Sequence, residues 1–62
     1  MELYQKVRLL TDAYIEDGIK KGDIGYIVLQ HDDDHFEVDF SDENGFTIAC
    51  FAFPKDELEL AE

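Results

Sequence analysis

His31-Asp32-Asp33-Asp34-His35 is the densest run of ligating side chains in the sequence. Two imidazoles bracketing three carboxylates supply the nitrogen and oxygen donors that divalent metals take. On a tight hairpin the two histidines would face each other across a strand pair. The spacing matches no established zinc signature, and three adjacent aspartates cannot all aim inward from one turn. The expectation is therefore a solvated hairpin, with aspartates capping local backbone amides and no metal. Cys50 is a second candidate, as a nucleophile with a histidine as its base. It sits among Ile48, Ala49, Phe51 and Ala52 without a basic neighbour to lower its pKa, and reads as a buried, inert thiol. Glu37 and Asp39, two residues apart on one strand, form a carboxylate pair of the kind that does acid/base work. No basic or amide residue stands beside them as an oxyanion donor. Lys20-Lys21-Gly22-Asp23 lacks the spacing of a phosphate-cradling loop and reads as a turn. Catalysis and cofactor binding are not expected.

Charge narrows the partners. The 62 residues carry 16 acidic and 5 basic side chains, a formal charge of −11 at pH 7. Such a field repels nucleic-acid phosphates and anionic lipid, so neither is expected as a direct partner. It also exceeds the magnitude of ~2–8 that keeps a small domain soluble. The acids are grouped as Glu16-Asp17, Asp32 to Asp34, Glu37 with Asp39, and Asp42-Glu43. No apolar run approaches the ~18 residues of a membrane span. The start of the chain has neither the basic cluster nor the apolar run of a signal peptide, so a cytoplasmic location is expected. A single cysteine rules out an internal disulfide.

The elements that must position these groups are short. A chain of this length buries only about 60% of its unfolded surface and forms one domain, residues 1–62. Tyr4 to Leu10 alternates with period two and predicts a half-buried strand. Thr11 to Lys21 predicts a long loop whose Tyr14, Ile15 and Ile19 fold back as a lid on the core. Ile24 to Gln30 is a second strand, entered through two glycines that mark a turn and then a bulge or sharp bend where a side chain would clash. Phe36 to Phe40 alternates cleanly, with Phe36, Val38 and Phe40 on one face and Glu37 and Asp39 on the other. Asn44-Gly45 marks the next turn. Phe46 to Phe53 is apolar on both faces, which predicts a central strand or one with a face under the loop. Pro54 ends it, Lys55-Asp56-Glu57 forms a single helical turn, and Leu58 to Leu60 is a final strand. Closing such a sheet on itself is the economical way to bury it, giving a small curled antiparallel barrel.

The stretch Gly18-Ile19-Lys20-Lys21-Gly22-Asp23-Ile24-Gly25-Tyr26-Ile27-Val28 resembles a segment of small SH3-like barrels. Taken whole, residues 4–60 resemble the uncharacterised bacterial family called domain of unknown function 4926. The resemblance rests on Val7-Arg8-Leu9-Leu10, the Gly-Asp-x-Gly stretch, the acidic-aromatic strand Phe36 to Phe40, Gly45-Phe46-Thr47, and Pro54-Lys55-Asp56-Glu57-Leu58. It implies a fold rather than an activity. Some small acidic proteins of this type sit beside toxin genes and look like immunity proteins.

The expected fold is all-β, a small five-stranded SH3-like barrel with a long early loop and a single helical turn before the last strand. Val7, Leu9, Ile24, Ile27, Leu29, Val38, Phe40, Ile48, Phe51 and Leu58 are the expected core. The expected function is non-enzymatic: an acidic inhibitor, immunity protein or antitoxin that blocks the basic cleft of a cationic toxin, a nuclease foremost. Asp32, Asp33, Asp34, Glu37, Asp39, Asp42 and Glu43 would meet lysines and arginines of the partner, with Tyr26 or Phe46 as an aromatic anchor. The alternative is a structural or regulatory module, a subunit of a larger assembly or a homodimer joined through Phe46 to Phe53.

Overall fold

A computed structural model describes residues 1–61 and gives an all-β chain. Five strands, β1 (Lys6–Leu9), β2 (Ile24–Gln30), β3 (His35–Ser41), β4 (Thr47–Pro54) and β5 (Leu58–Leu60), form one antiparallel sheet. Their order is β4-β3-β2-β1-β5. Two single 3-10 turns, Ile15–Asp17 and Lys55–Glu57, interrupt the early loop and precede β5. The architecture is the small barrel-like fold expected. Alternation builds it: Val7 and Leu9, Gly25 and Ile27, and Phe36, Val38 and Phe40 turn inward from neighbouring strands. With Ile19, Ala49, Phe53 and Leu58 the apolar members of this set form the core. β1 is shorter than its pattern implies because Tyr4 has φ 69°, a left-handed turn ahead of the strand.

The core departs from expectation at four positions, and register explains three. Val28 is an extra residue in β2, because Ile27 pairs with Val38 and Leu29 with Glu37. That bulge moves Leu29 onto the outer face, where it is 48% exposed. Ile48 is likewise the extra residue of β4, between Ala49, opposite Phe40, and Thr47, opposite Ser41, and it is exposed. Ile24 is exposed because inward-facing Gly25 puts both of its neighbours outside. Phe51 is only half-buried. Ile19, Phe36, Ala49 and Phe53 take the vacated roles.

β4 is an edge strand, not a central one. Its inner face lies under the early loop, as the alternative reading of its two apolar faces requires. Tyr14 packs edge-on against Phe53 with ring centroids 4.9 Å apart and tilts over Phe51 at 5.5 Å. Phe51 and Phe53 stack at 4.5 Å, and Phe53 meets Phe40 edge-on at 5.4 Å. The lid is thus Tyr14 and Ile19, while Ile15 points to solvent. The Tyr14 hydroxyl donates to Glu57 Oε1 at 2.5 Å, clipping the loop to the second 3-10 turn. That bond, with burial and nearby acids adding, pushes the Tyr14 phenol up to about 12.

Gly25 leaves no room for a side chain between β2 and β3. A Cβ there would sit 2.7 Å from Val38 Cγ1, 2.9 Å from the Asp39 carbonyl oxygen and 2.9 Å from Phe40 Cδ1. Backbone is among those neighbours, so the clash cannot be relieved by a rotamer change. Gly25→Ala is therefore expected to destabilise the fold by about 1–3 kcal/mol, read from the urea midpoint. The Tyr14 phenol gives a second expectation. Its protonated form is favoured in the folded state, so that contribution is complete below the ordinary value of 10.0 and disappears as pH rises towards about 12. Ultraviolet titration of the phenols should show a late-ionising component that Glu57→Gln moves to lower pH.

Candidate functional site

Because Phe36, Val38 and Phe40 are buried, Glu37 and Asp39 must face outward, and both are half-buried on the outer surface of β3. Pairing fixes their neighbours. Leu29 and Ala52 flank Glu37, and Tyr26 and Cys50 flank Asp39. Tyr26 and Leu29 are both about half exposed, so a polar-apolar surface crosses β2, β3 and β4.

The β2–β3 turn carries the aspartate triplet. Asp32 Oδ1 accepts from the Asp34 amide at 2.8 Å and sits 3.0 Å from His35 Nδ1, and the His31 amide donates to the His35 carbonyl. The His35 bond, with the Asp34 amide adding, holds the Asp32 carboxyl below its ordinary range. Asp34 pairs with Lys55 at 3.3 Å, and its carbonyl accepts from the Lys55 amide at 2.7 Å. Asp33 is exposed. His31 turns to Glu37, Nε2 to Oε1 2.9 Å, so each imidazole has its own carboxylate and the two do not share a ligand site. Among the described residues no three histidine, cysteine or acidic side chains are grouped as metal ligands.

At the other end of β3, Asp42 Oδ1 accepts from the amides of Asn44 and Phe46 at 2.9 and 3.0 Å, which builds the β3–β4 turn. Gly45 in that turn has φ 86°. Glu43 is exposed, and Phe46 is 71% exposed. Asp39 accepts from the Ser41 hydroxyl at 3.2 Å, and among the described residues no cation pairs with it. At ~3.3 Å per residue, β3 holds its two acidic turns about 20 Å apart, beyond the ~8 Å reach of a charge at physiological salt. Only Glu37 and Asp39 between them make the acidity continuous.

Cys50 corrects the sequence reading. It is exposed on the outer face of β4, and its thiol donates to Glu37 Oε2 at 3.6 Å. Desolvation, the hydrogen bond to Glu37 and the charges of Glu37 and Asp39 all raise its pKa. Glu37 therefore joins His31 and Cys50, one through each oxygen, but the arrangement suppresses the thiolate that nucleophilic chemistry needs. The sequence reading misses that Ile24 and Leu29 join Tyr26 in an outward row, and for Ile24 inward Gly25 was the available signal. The Val28 bulge leaves no trace in residue pattern. A separate cleft of about 360 Å³ lies between the early loop and the start of β4, lined by Ile19, Ile24, Phe40 and Ile48. Its charged groups, Lys20 and Asp23, pair with each other at 3.2 Å.

The family model described as Domain of unknown function (DUF4926) matches residues 3–60, and the chain belongs to that family. Comparison with curated proteins and with solved structures gives no match. No helix among the described residues is long and apolar enough to cross a membrane.

The Cys50 environment makes a direct expectation. A thiol held protonated by desolvation and by a neighbouring carboxylate should alkylate slowly near neutral pH and faster as pH rises. Glu37→Gln, which removes the charge and keeps the shape, should speed iodoacetamide labelling at pH 8. An unchanged rate would mean that Glu37 does not control the thiol.

Proposed function

We propose that this chain is a binding protein, not an enzyme, and acts in the cytoplasm as an inhibitor or immunity protein that covers the basic cleft of a cationic toxin, a nuclease foremost. The observation that supports this reading is the outward pair Glu37 and Asp39, which joins acidic turns at both ends of β3. A cleft built to hold phosphate carries lysines and arginines, and a run of carboxylates competes for them. Block is stoichiometric: the small barrel sits over the cleft and charge steers it there.

The acids take different roles. Asp32 and Asp42 spend oxygens on their own turns, so they contribute field more than direct contacts. Asp33, Asp34, Glu37, Asp39 and Glu43 reach the partner, Asp34 by exchanging Lys55 and Glu37 by exchanging His31. Tyr26, beside Asp39, anchors the centre, and Phe46 anchors the far turn.

Salt should weaken the complex mainly by slowing association, as the Debye length contracts from ~8 Å at 0.15 M to ~3 Å at 1 M. Glu37→Lys with Asp39→Lys should abolish binding and leave the circular dichroism spectrum unchanged. The check is capture of partner from native lysate across a salt series, followed by a nuclease assay of the captured protein with and without added inhibitor. Tight binding indifferent to both salt and charge reversal would overturn the reading.

A further inference from the structure

Sheets end in strands whose outer backbone groups lack a partner, and natural edges are usually short or charged. β5 fits that rule: it has three residues, with Glu59 at its centre in an ion pair with Arg8 at 2.7 Å. β4 does not. It has eight residues, and no charged side chain lies from Phe46 through Phe53. Pro54 and the Ile48 bulge guard its ends only. Among the described residues, no backbone hydrogen bond reaches Thr47–Pro54 from any element except β3.

We propose, resting on the cationic-partner reading above, that the partner adds an extended strand to the free edge of β4, and that this strand has the pattern basic-apolar-basic. The register specifies the pattern. On the outer face the residues nearest the edge are Cys50 and Ala52, both small, and directly behind them stand Asp39 and Glu37. Strands are ~4.8 Å apart, so β3 lies about 10 Å from an added strand, a gap that a long cationic side chain closes only when the intervening residue is small. Two outward cations, two residues apart, would lie over Cys50 and Ala52 and meet Asp39 and Glu37. The residue between them faces inward beside half-buried Phe51, which favours an apolar side chain. Main-chain bonds give such a complex its affinity and the alternating side chains its selectivity.

Charge complementarity picks a foreign strand over a second copy. β4 itself offers no cation to a symmetric mate, and pairing two chains of charge −11 brings like charges together. The chain's own basic-apolar-basic segment, Lys6-Val7-Arg8, is paired on both sides by β2 and β5.

The test uses a synthetic peptide of about eight residues, a length typical of strands, alternating Val with Lys and Arg. A control has the same composition with its cations grouped at one end. Amide shifts and hydrogen exchange are followed in the intact protein. The alternating peptide should protect the edge-facing amides of Ala49 to Phe53. Asp39→Asn and Glu37→Gln should each weaken it roughly two- to fivefold, the range for partly exposed ion pairs. Ala52→Lys, at an exposed position, should remove binding while the unbound spectrum stays native. Equal binding of the control peptide, or shifts confined to the two acidic turns, would overturn the strand and leave the charge-steered inhibitor standing. Protection indifferent to Asp39 and Glu37 would overturn the cationic pattern. Absence of any binding, or concentration-dependent protection without peptide, would overturn the proposal, the latter naming a second copy as occupant. Failure of the inhibitor reading shows separately, as a captured partner that ignores salt.

Discussion

When one sheet supplies nearly the whole core, each strand can bury only one face, and β3 buries Phe36, Val38 and Phe40. That choice places Glu37 and Asp39 outside, because the side-chain period of a strand is two. It also sets the neighbours. Val38 and Phe40 press on Gly25, which leaves no room for a Cβ and turns Ile24 and Tyr26 outward. On the other side, Val38 opposite Phe51 and Phe36 opposite Phe53 bring two aromatics under Tyr14 and leave Cys50 and Ala52 outside. A one-residue slip of β3 would bury two carboxylates and expose three apolar side chains. So the acidic surface is a consequence of the core and is as well determined as the core.

Residue pattern was enough to bound most of the strands. β2 and β5 run between the residues that the sequence marks, β3 extends one residue further at each end, and the turn at Lys55–Glu57 falls in place. The outward carboxylates and exposed Tyr26 and Phe46 were equally legible. Pattern fails where a strand gains a residue. Val28 and Ile48 are β-branched apolar residues inside apolar runs, so nothing in their chemistry distinguishes a bulge from regular pairing. Each bulge is set by the partner strand, which a local reading does not contain. The lid was legible in part: Tyr14 and Ile19 fold back onto the core as expected, while Ile15 points to solvent. Cys50 was misplaced for a related reason: an apolar run suggests a strand covered on both faces, whereas β4 is covered on one face and open along one edge.

The histidine-aspartate run shows how a dense set of ligating groups can be spent on structure. Asp32 closes its own turn and holds His35, Asp34 ties the turn to Lys55, and His31 is drawn to Glu37. These contacts leave each imidazole committed to a separate carboxylate. They also leave an asymmetry along β3. Glu37 already has an imidazole and a thiol on its oxygens, while Asp39 has only the Ser41 hydroxyl. In the proposed complex an incoming cation would have to displace a partner at Glu37 but none at Asp39, which makes Asp39, with Tyr26 beside it, the more available of the two carboxylates.

A small domain with a large like charge gives up stability through self-repulsion. Two features here limit that loss. The acidic turns stand at opposite ends of β3, farther apart than the screening length, and the half-buried acids between them each accept a hydrogen bond. The carboxylates of β3 and its two turns are thus spread in a line, and a line suits an extended partner better than a point ligand. The uncharged edge of β4 runs alongside that line, one strand away. In the proposed complex, backbone pairing at the edge would fix the partner's register and the carboxylates would read its side chains. Neither element alone would be selective, since an open edge accepts any strand and an acidic surface attracts any cation.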